Sequence, residues 1–152
     1  MNTEEISILA NSLGERVYVC SINQLNDILK IRGVKYIIIY TEPDHVSHGH
    51  WVLMYKSKKT LYLFDSLARD ISFYNFKVKY TITQVCNIAV QPAHSVKCGH
   101  YVLFFLYFLI NGRSVDSVIE VLYNYQNIDS AIVNINHTFL YRTAKTKNTP
   151  WC

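Results

Sequence analysis

The stretch CGHYVLFFLYFLI, residues 98 to 110, constrains the fold more than any other part of the chain. Its apolar part runs ten residues from Tyr101 to Ile110 and stops at Asn111 and Gly112, whereas a bilayer span needs about 20. A helix that is apolar on every side must be wrapped by protein. The 152 residues can supply that wrap, because a chain of this length is one domain by the usual size prior and buries roughly 68–70% of its unfolded surface. The reading is a single domain over residues 1–152.

The wrap is read from periodicity. Residues 3–14, TEEISILANSLG, open with Thr3 as N-cap and two acids in the first turn, and close on Gly14, which marks a helix at both ends. GVKYIIIY is a strand whose near-continuous apolarity suits a central position. HWVLMY, TLYLFD, VKYTIT and CNIAVQ read as further strands, and three helical patterns follow, over Gly99–Asn111, SVDSVIEVLYNY and DSAIVNINHTFLYRT. The expected class is α+β: a central mixed or antiparallel sheet packed against a core helix that starts at Cys98, with N- and C-terminal helices.

Cysteine usage and charge set the surroundings. Cys20, Cys86, Cys98 and Cys152 are irregularly spaced and no basic, then apolar, leader opens the chain, so reduced thiols outside the secretory route are expected. Fifteen Lys+Arg against eleven Asp+Glu give +4, a mild surplus that permits an acidic partner without requiring one. The basic clusters YKSKK and YRTAKTKN read as solvated faces.

The most informative local geometry is the hairpin HGHWVLMYKSKKTLYLFDSL. A tight loop over Lys56–Lys59 pairs residues whose numbers sum to 115 and sets His50 opposite Asp65. Alternation puts His50, Val52 and Met54 on one face with Leu61, Leu63 and Asp65, and Trp51, Leu53 and Tyr55 on the other with Tyr62 and Phe64. An imidazole and a carboxylate then meet at the end of an apolar face. Cys98 opens a helix, where unpaired N–H groups and the positive end of the macrodipole favour the thiolate. Gly99 leaves room for a substrate backbone or a neighbouring strand. Nucleophile, base and orienting group are thus all available, and Gln91, seven positions before Cys98, can donate toward a developing oxyanion.

The set His50-Trp51 in "GHW", Asp65 in "LYLFDSL", and Gln91 with Cys98-Gly99 in "Q-x6-CGHY" resembles the adenovirus protease (adenain) family and, more distantly, the cysteine proteases that process ubiquitin-like proteins. The resemblance implies a cysteine endopeptidase in which Cys98 is the nucleophile, His50 the general base, Asp65 its orienter and Gln91 part of the oxyanion hole. It further implies protein substrates cut near glycine, either viral capsid and core precursors or ubiquitin-like conjugates. Also implied are a monomer in the host nucleus or cytoplasm and in the virion, no membrane partner, no cofactor, and activation by a peptide or DNA. Cys20 and Cys86 are the candidate partners for a peptide disulfide, and neither sits in a motif of its own.

Other readings stay open at this point. The same Cys-His-Asp set serves acyl transfer as well as hydrolysis, and an inactive binding module could keep the fold. Taken alone, Cys98 reads as a structural thiol, His50 as a strand-end histidine and Asp65 as a turn residue. His45, His48 and His50 with His94, Cys98 and His100 offer zinc-type donors, but their spacing lacks the paired pattern of structural zinc sites; His45 and His48 read as loop residues beside the cleft.

Overall fold

The computed structural model describes residues 1–42, 49–124 and 128–137. In chain order its elements are α1 (Thr3–Asn11), β1 (Val17–Ser21), α2 (Leu25–Leu29), β2 (Tyr36–Tyr40), β3 (Trp51–Ser57), β4 (Thr60–Phe64), β5 (Thr81–Gln84), α3 (Cys98–Ile110), α4 (Val115–Tyr123) and α5 (Ile128–Asn136). His45, His48, Cys152, the YRTAKTKN cluster and the end of the last helical pattern lie outside the described residues. Among the described residues no helix is long and apolar enough to cross a membrane.

The sheet runs in the order β1-β2-β3-β4-β5, with its two outer pairs parallel and its two inner pairs antiparallel. This is the expected α+β class with a mixed sheet. Strand β2 has a partner on each side, and four of its five residues are buried, which is why its sequence reads as unbroken apolarity instead of alternation. The helix α3 lies on the sheet with all of Tyr101–Leu106 at most 1% exposed. Each such aromatic or aliphatic side chain contributes about 1.5–3 kcal/mol on burial. Phe105 stacks on Phe64 of β4 at 4.0 Å between ring centres. Beyond Leu106 the helix emerges, and Tyr107–Ile110 are only half-buried.

Alternation splits the sheet into two cores. Trp51, Leu53, Phe64, Tyr36 and Ile38 pack with α1 and α3, whereas Val52, Met54, Leu61, Leu63, Ile37 and Ile39 pack with α2 and Tyr74 on the opposite face. The division of β3 and β4 residues between faces follows the sequence pattern. The register does not: Ser57 pairs with Thr60 and Leu53 with Phe64, so pairs sum to 117, not 115. The loop is therefore two residues long, and its first, Lys58, takes φ 56, a left-handed conformation usual for Gly or Asn in tight hairpins. Because side chains repeat every two residues, a slip of two leaves every residue on its own face.

Three further differences are local. The cap of α1 is Asn2, whose Oδ1 accepts from Glu5 N at 2.8 Å, so the helix starts at Thr3 instead of being capped by it. Residues 86–91, CNIAVQ, form bends and no strand, since Val90 N and Gln91 N both donate to the single carbonyl of Ser66 at 2.9 Å, a pairing no ladder allows. Strand β1 and helix α2, absent from the sequence reading, occupy residues 17–29.

Candidate active site

The site is assembled at the end of β3. Thr41 N donates to His50 O at 2.9 Å and His50 N donates to Thr41 Oγ1 at 3.2 Å, which fixes the backbone just before the strand begins. Gly49 makes that approach possible. A Cβ there would stand 2.5 Å from the Tyr40 ring and 2.8 Å from the Glu42 side chain, and Gly49 N donates to Tyr40 Oη. Helix α3 packs on the Trp51 and Leu53 face, not on the Val52 and Met54 face to which alternation assigned His50. His50 sits one residue outside the strand, where alternation no longer dictates direction.

His50 Nε2 lies 2.6 Å from Asp65 Oδ1, with both side chains nearly inaccessible. Asp65 is fully buried and fully partnered. Its Oδ1 also accepts from Leu67 N at 2.9 Å, and its Oδ2 accepts from Arg69 N at 3.1 Å and from Tyr74 Oη at 2.5 Å. Four donors meet the roughly four acceptor positions of a carboxylate. Burial alone raises the Asp65 pKa, but His50, Tyr74 and the Leu67 amide outweigh it and hold the carboxyl below its ordinary range. Burial likewise disfavours charge on His50, and hydrogen bonds and charges of Asp65 and Cys98 reverse this, so the imidazole's pKa is raised. Tyr74 is invisible to motif reasoning. The only nearby signal is Asp-x-Ser at 70–72, where Asp70 Oδ1 accepts from Ser72 N at 2.8 Å and turns the chain to bring Tyr74 inward.

Cys98 is the first residue of α3 and half-buried. With Nε2 of His50 on Asp65, the ring's other nitrogen, Nδ1, is the one left to face the thiol. Burial opposes ionisation of Cys98, yet the His50 hydrogen bond, the Trp51 and Gly99 amides and the imidazolium charge together lower its pKa. Both shifts move the couple toward a thiolate–imidazolium pair. Gly99 serves packing: a Cβ there would meet Met1, Trp51 and Ile6 side chains at 3.2–3.5 Å, so it seats the first turn of α3 against α1 and β3.

Gln91 is 3% exposed. Its Oε1 accepts from Ser66 Oγ at 2.6 Å and its Nε2 donates to Ser95 O at 2.8 Å, which fixes the amide's orientation and leaves its second N–H unspent. His50, Gln91 and Cys98 line one cleft of about 580 Å³, together with Glu42, Leu67, Arg69 and Phe73. The structure thus brings His50, Asp65, Gln91 and Cys98 into one neighbourhood. His100 is elsewhere: it is half-buried and its pKa falls to about 4, first through desolvation and then through Lys97 and the N-terminal amine. Among the described residues no three His, Cys, Asp or Glu side chains converge as a metal site.

No protein-family model matches the chain, and no curated protein matches its sequence. Solved structures match in shape. The Chlamydia trachomatis effector protein Cdu1, solved bound to ubiquitin, superposes with a TM-score of 0.51 at 14% identity, over 97% of this chain and 80% of Cdu1. ChlaDub1 of Chlamydia trachomatis gives a TM-score of 0.52 at 13% identity, over 93% and 78% of the two chains. At such identities the shared property is the α+β fold.

Proposed function

We propose that the chain is a cysteine protease acting on proteins modified by, or ending in, a ubiquitin-like tail. One observation carries the reading: a thiol of lowered pKa at a helix N-terminus faces an imidazole whose far nitrogen is held by a saturated, buried carboxylate. In this reading the Cys98 thiolate attacks the scissile carbonyl carbon, and charge develops on the carbonyl oxygen. The free N–H of Gln91 Nε2 and the backbone N–H of Cys98, which has no carbonyl partner inside the helix, stabilise that oxygen. Protonated His50 gives its Nδ1 proton to the departing amine, leaving a thioester on Cys98. Neutral His50 then takes a proton from water, hydroxide adds to the thioester, and the carboxylic acid and the thiolate–imidazolium pair are regenerated. Asp65 keeps the ring in the tautomer that both steps use.

The fold shared with Cdu1, whose structure holds ubiquitin, favours ubiquitin-like conjugates over viral capsid precursors, for which no structural counterpart supports the expectation drawn from the adenain resemblance. The test is release of a fluorophore from the C-terminus of ubiquitin and of several ubiquitin-like proteins, beside a panel of glycine-containing precursor peptides. Release that disappears in Cys98→Ala supports the proposal. Cleavage of the peptides alone returns the substrate reading to precursor processing, and Cys98→Ala with full activity removes the nucleophile assignment altogether.

A further inference from the structure

A second concave site lies at the opposite end of β3 from His50. Lys56 is six residues along the chain from His50, about 20 Å at the rise of an extended strand. It lines a cavity of about 900 Å³ with Lys30, Arg32, Lys77 and Lys79. Those five cations exceed the net charge of the whole chain, +4, and no acidic side chain lines the cavity. Cations that lie far apart in the sequence are thus brought together around one concavity. Three separate segments build it: the end of α2 with the turn after it, the middle of the β3–β4 hairpin, and the chain entering β5.

The cavity is held in shape. Asn26 Nδ2 donates to Lys77 O at 2.7 Å and ties α2 to the segment before β5. The Lys56 ammonium sits 4.9 Å from the centre of the Tyr80 ring, a contact that positions it while leaving its donors open. Lys30 pairs with Asp27 at 3.4 Å, but both side chains are largely in water, where such a pair contributes little. Like charges gathered around a hollow repel one another, and a multiply charged anion relieves that repulsion. The volume is that of a small-ligand pocket, and lysine and arginine donors suit phosphate oxygens.

We propose that this cavity binds a small molecule or headgroup carrying several closely spaced phosphates. The site is separate from the Cys98 cleft, and its occupancy does not depend on the protease reading. The experiment titrates the full chain with inorganic tripolyphosphate by calorimetry at physiological salt, and in parallel measures sedimentation with phosphatidylcholine vesicles with and without phosphatidylinositol bisphosphate. Saturable binding to either probe is expected, the vesicle arm separating a lipid headgroup from a soluble phosphate. Arg32→Gln combined with Lys79→Gln, both exposed side chains, should weaken binding roughly tenfold per lost cation. Lys58→Gln with Lys59→Gln at the hairpin tip removes the same charge outside the cavity and should leave binding nearly unchanged. Absence of saturation with both probes overturns the proposal. So does an equal loss in the two double variants, which would show diffuse attraction to a basic surface.

Discussion

Cys86 is buried and Cys98 half-buried, and their pKa values are driven in opposite directions. Burial raises the Cys86 pKa, the Ile88 backbone opposes that rise and the Asp65 charge adds a little to it; the thiol donates to Ile88 O at 2.9 Å. Burial opposes ionisation of Cys98 too, but that thiol faces amide N–H groups and an imidazole. What separates the two thiols is their neighbours: at Cys86 burial and the Asp65 charge outweigh the Ile88 backbone and raise the pKa, whereas at Cys98 the His50 hydrogen bond, the Trp51 and Gly99 amides and the His50 charge outweigh burial and lower it. Burial by itself makes no nucleophile.

The largest effect expected from this contrast is between two alanine variants. Cys98→Ala should lower turnover about 10⁴–10⁶-fold with an unchanged thermal transition, whereas Cys86→Ala should keep activity within a few fold and cost about 1 kcal/mol of stability. Alkylation followed by mass spectrometry should label native Cys98 well below the free-thiol pKa of about 8.5 and label Cys86 only on unfolding. Asp65→Asn comes next, with a loss of up to about 10⁴-fold. In the proposed mechanism the His50 imidazolium is lost as pH rises through the raised His50 pKa; without the carboxylate, the Asp65 contribution to that rise is gone and the alkaline limb of the pH–rate profile should move to lower pH. An unmoved limb would mean that Asp65 does not govern His50.

Smaller effects follow from the supports. Gln91→Ala should reduce kcat about 10²–10³-fold with little change in KM, as for loss of one oxyanion donor. Tyr74→Phe removes one hydrogen bond from the buried Asp65 carboxylate, at about 1–3 kcal/mol. Because the folded Asp65 pKa is depressed, its stabilisation is present above the unfolded value and is lost as pH falls through the folded one. In Tyr74→Phe that loss should begin at higher pH, read as an acid unfolding midpoint shifted upward, with only a few-fold loss of activity at neutrality.

Much of this arrangement was legible in the chain because it rests on short-range rules. Period-two alternation assigned Val52, Leu53, Leu63 and Phe64 to their faces even though the hairpin register was off by two, since an even slip preserves parity. The apolar run after Cys98 located the core helix. What the sequence withheld depends on tertiary partners. CNIAVQ has a strand's composition, yet its amides converge on one carbonyl of Ser66. VYVC is a strand only because β2 lies beside it as a parallel partner. Tyr74 reaches back to Asp65, nine positions earlier, through a segment that carries no periodic signal.

The four-fold saturation of Asp65 has an evolutionary consequence. The amides of Leu67 and Arg69 bond the carboxylate that holds His50, while the side chains of the same residues, with Phe73, form a wall of the cleft. In the proposed reading, substrate preference and reactivity therefore share one anchor. A descendant chain that rebuilds residues 67–73 to accept a different substrate must keep two backbone N–H groups and the Tyr74 hydroxyl in place. Diversification along this wall should proceed by exchanging side chains, and insertions or deletions between Asp65 and Tyr74 should be counter-selected.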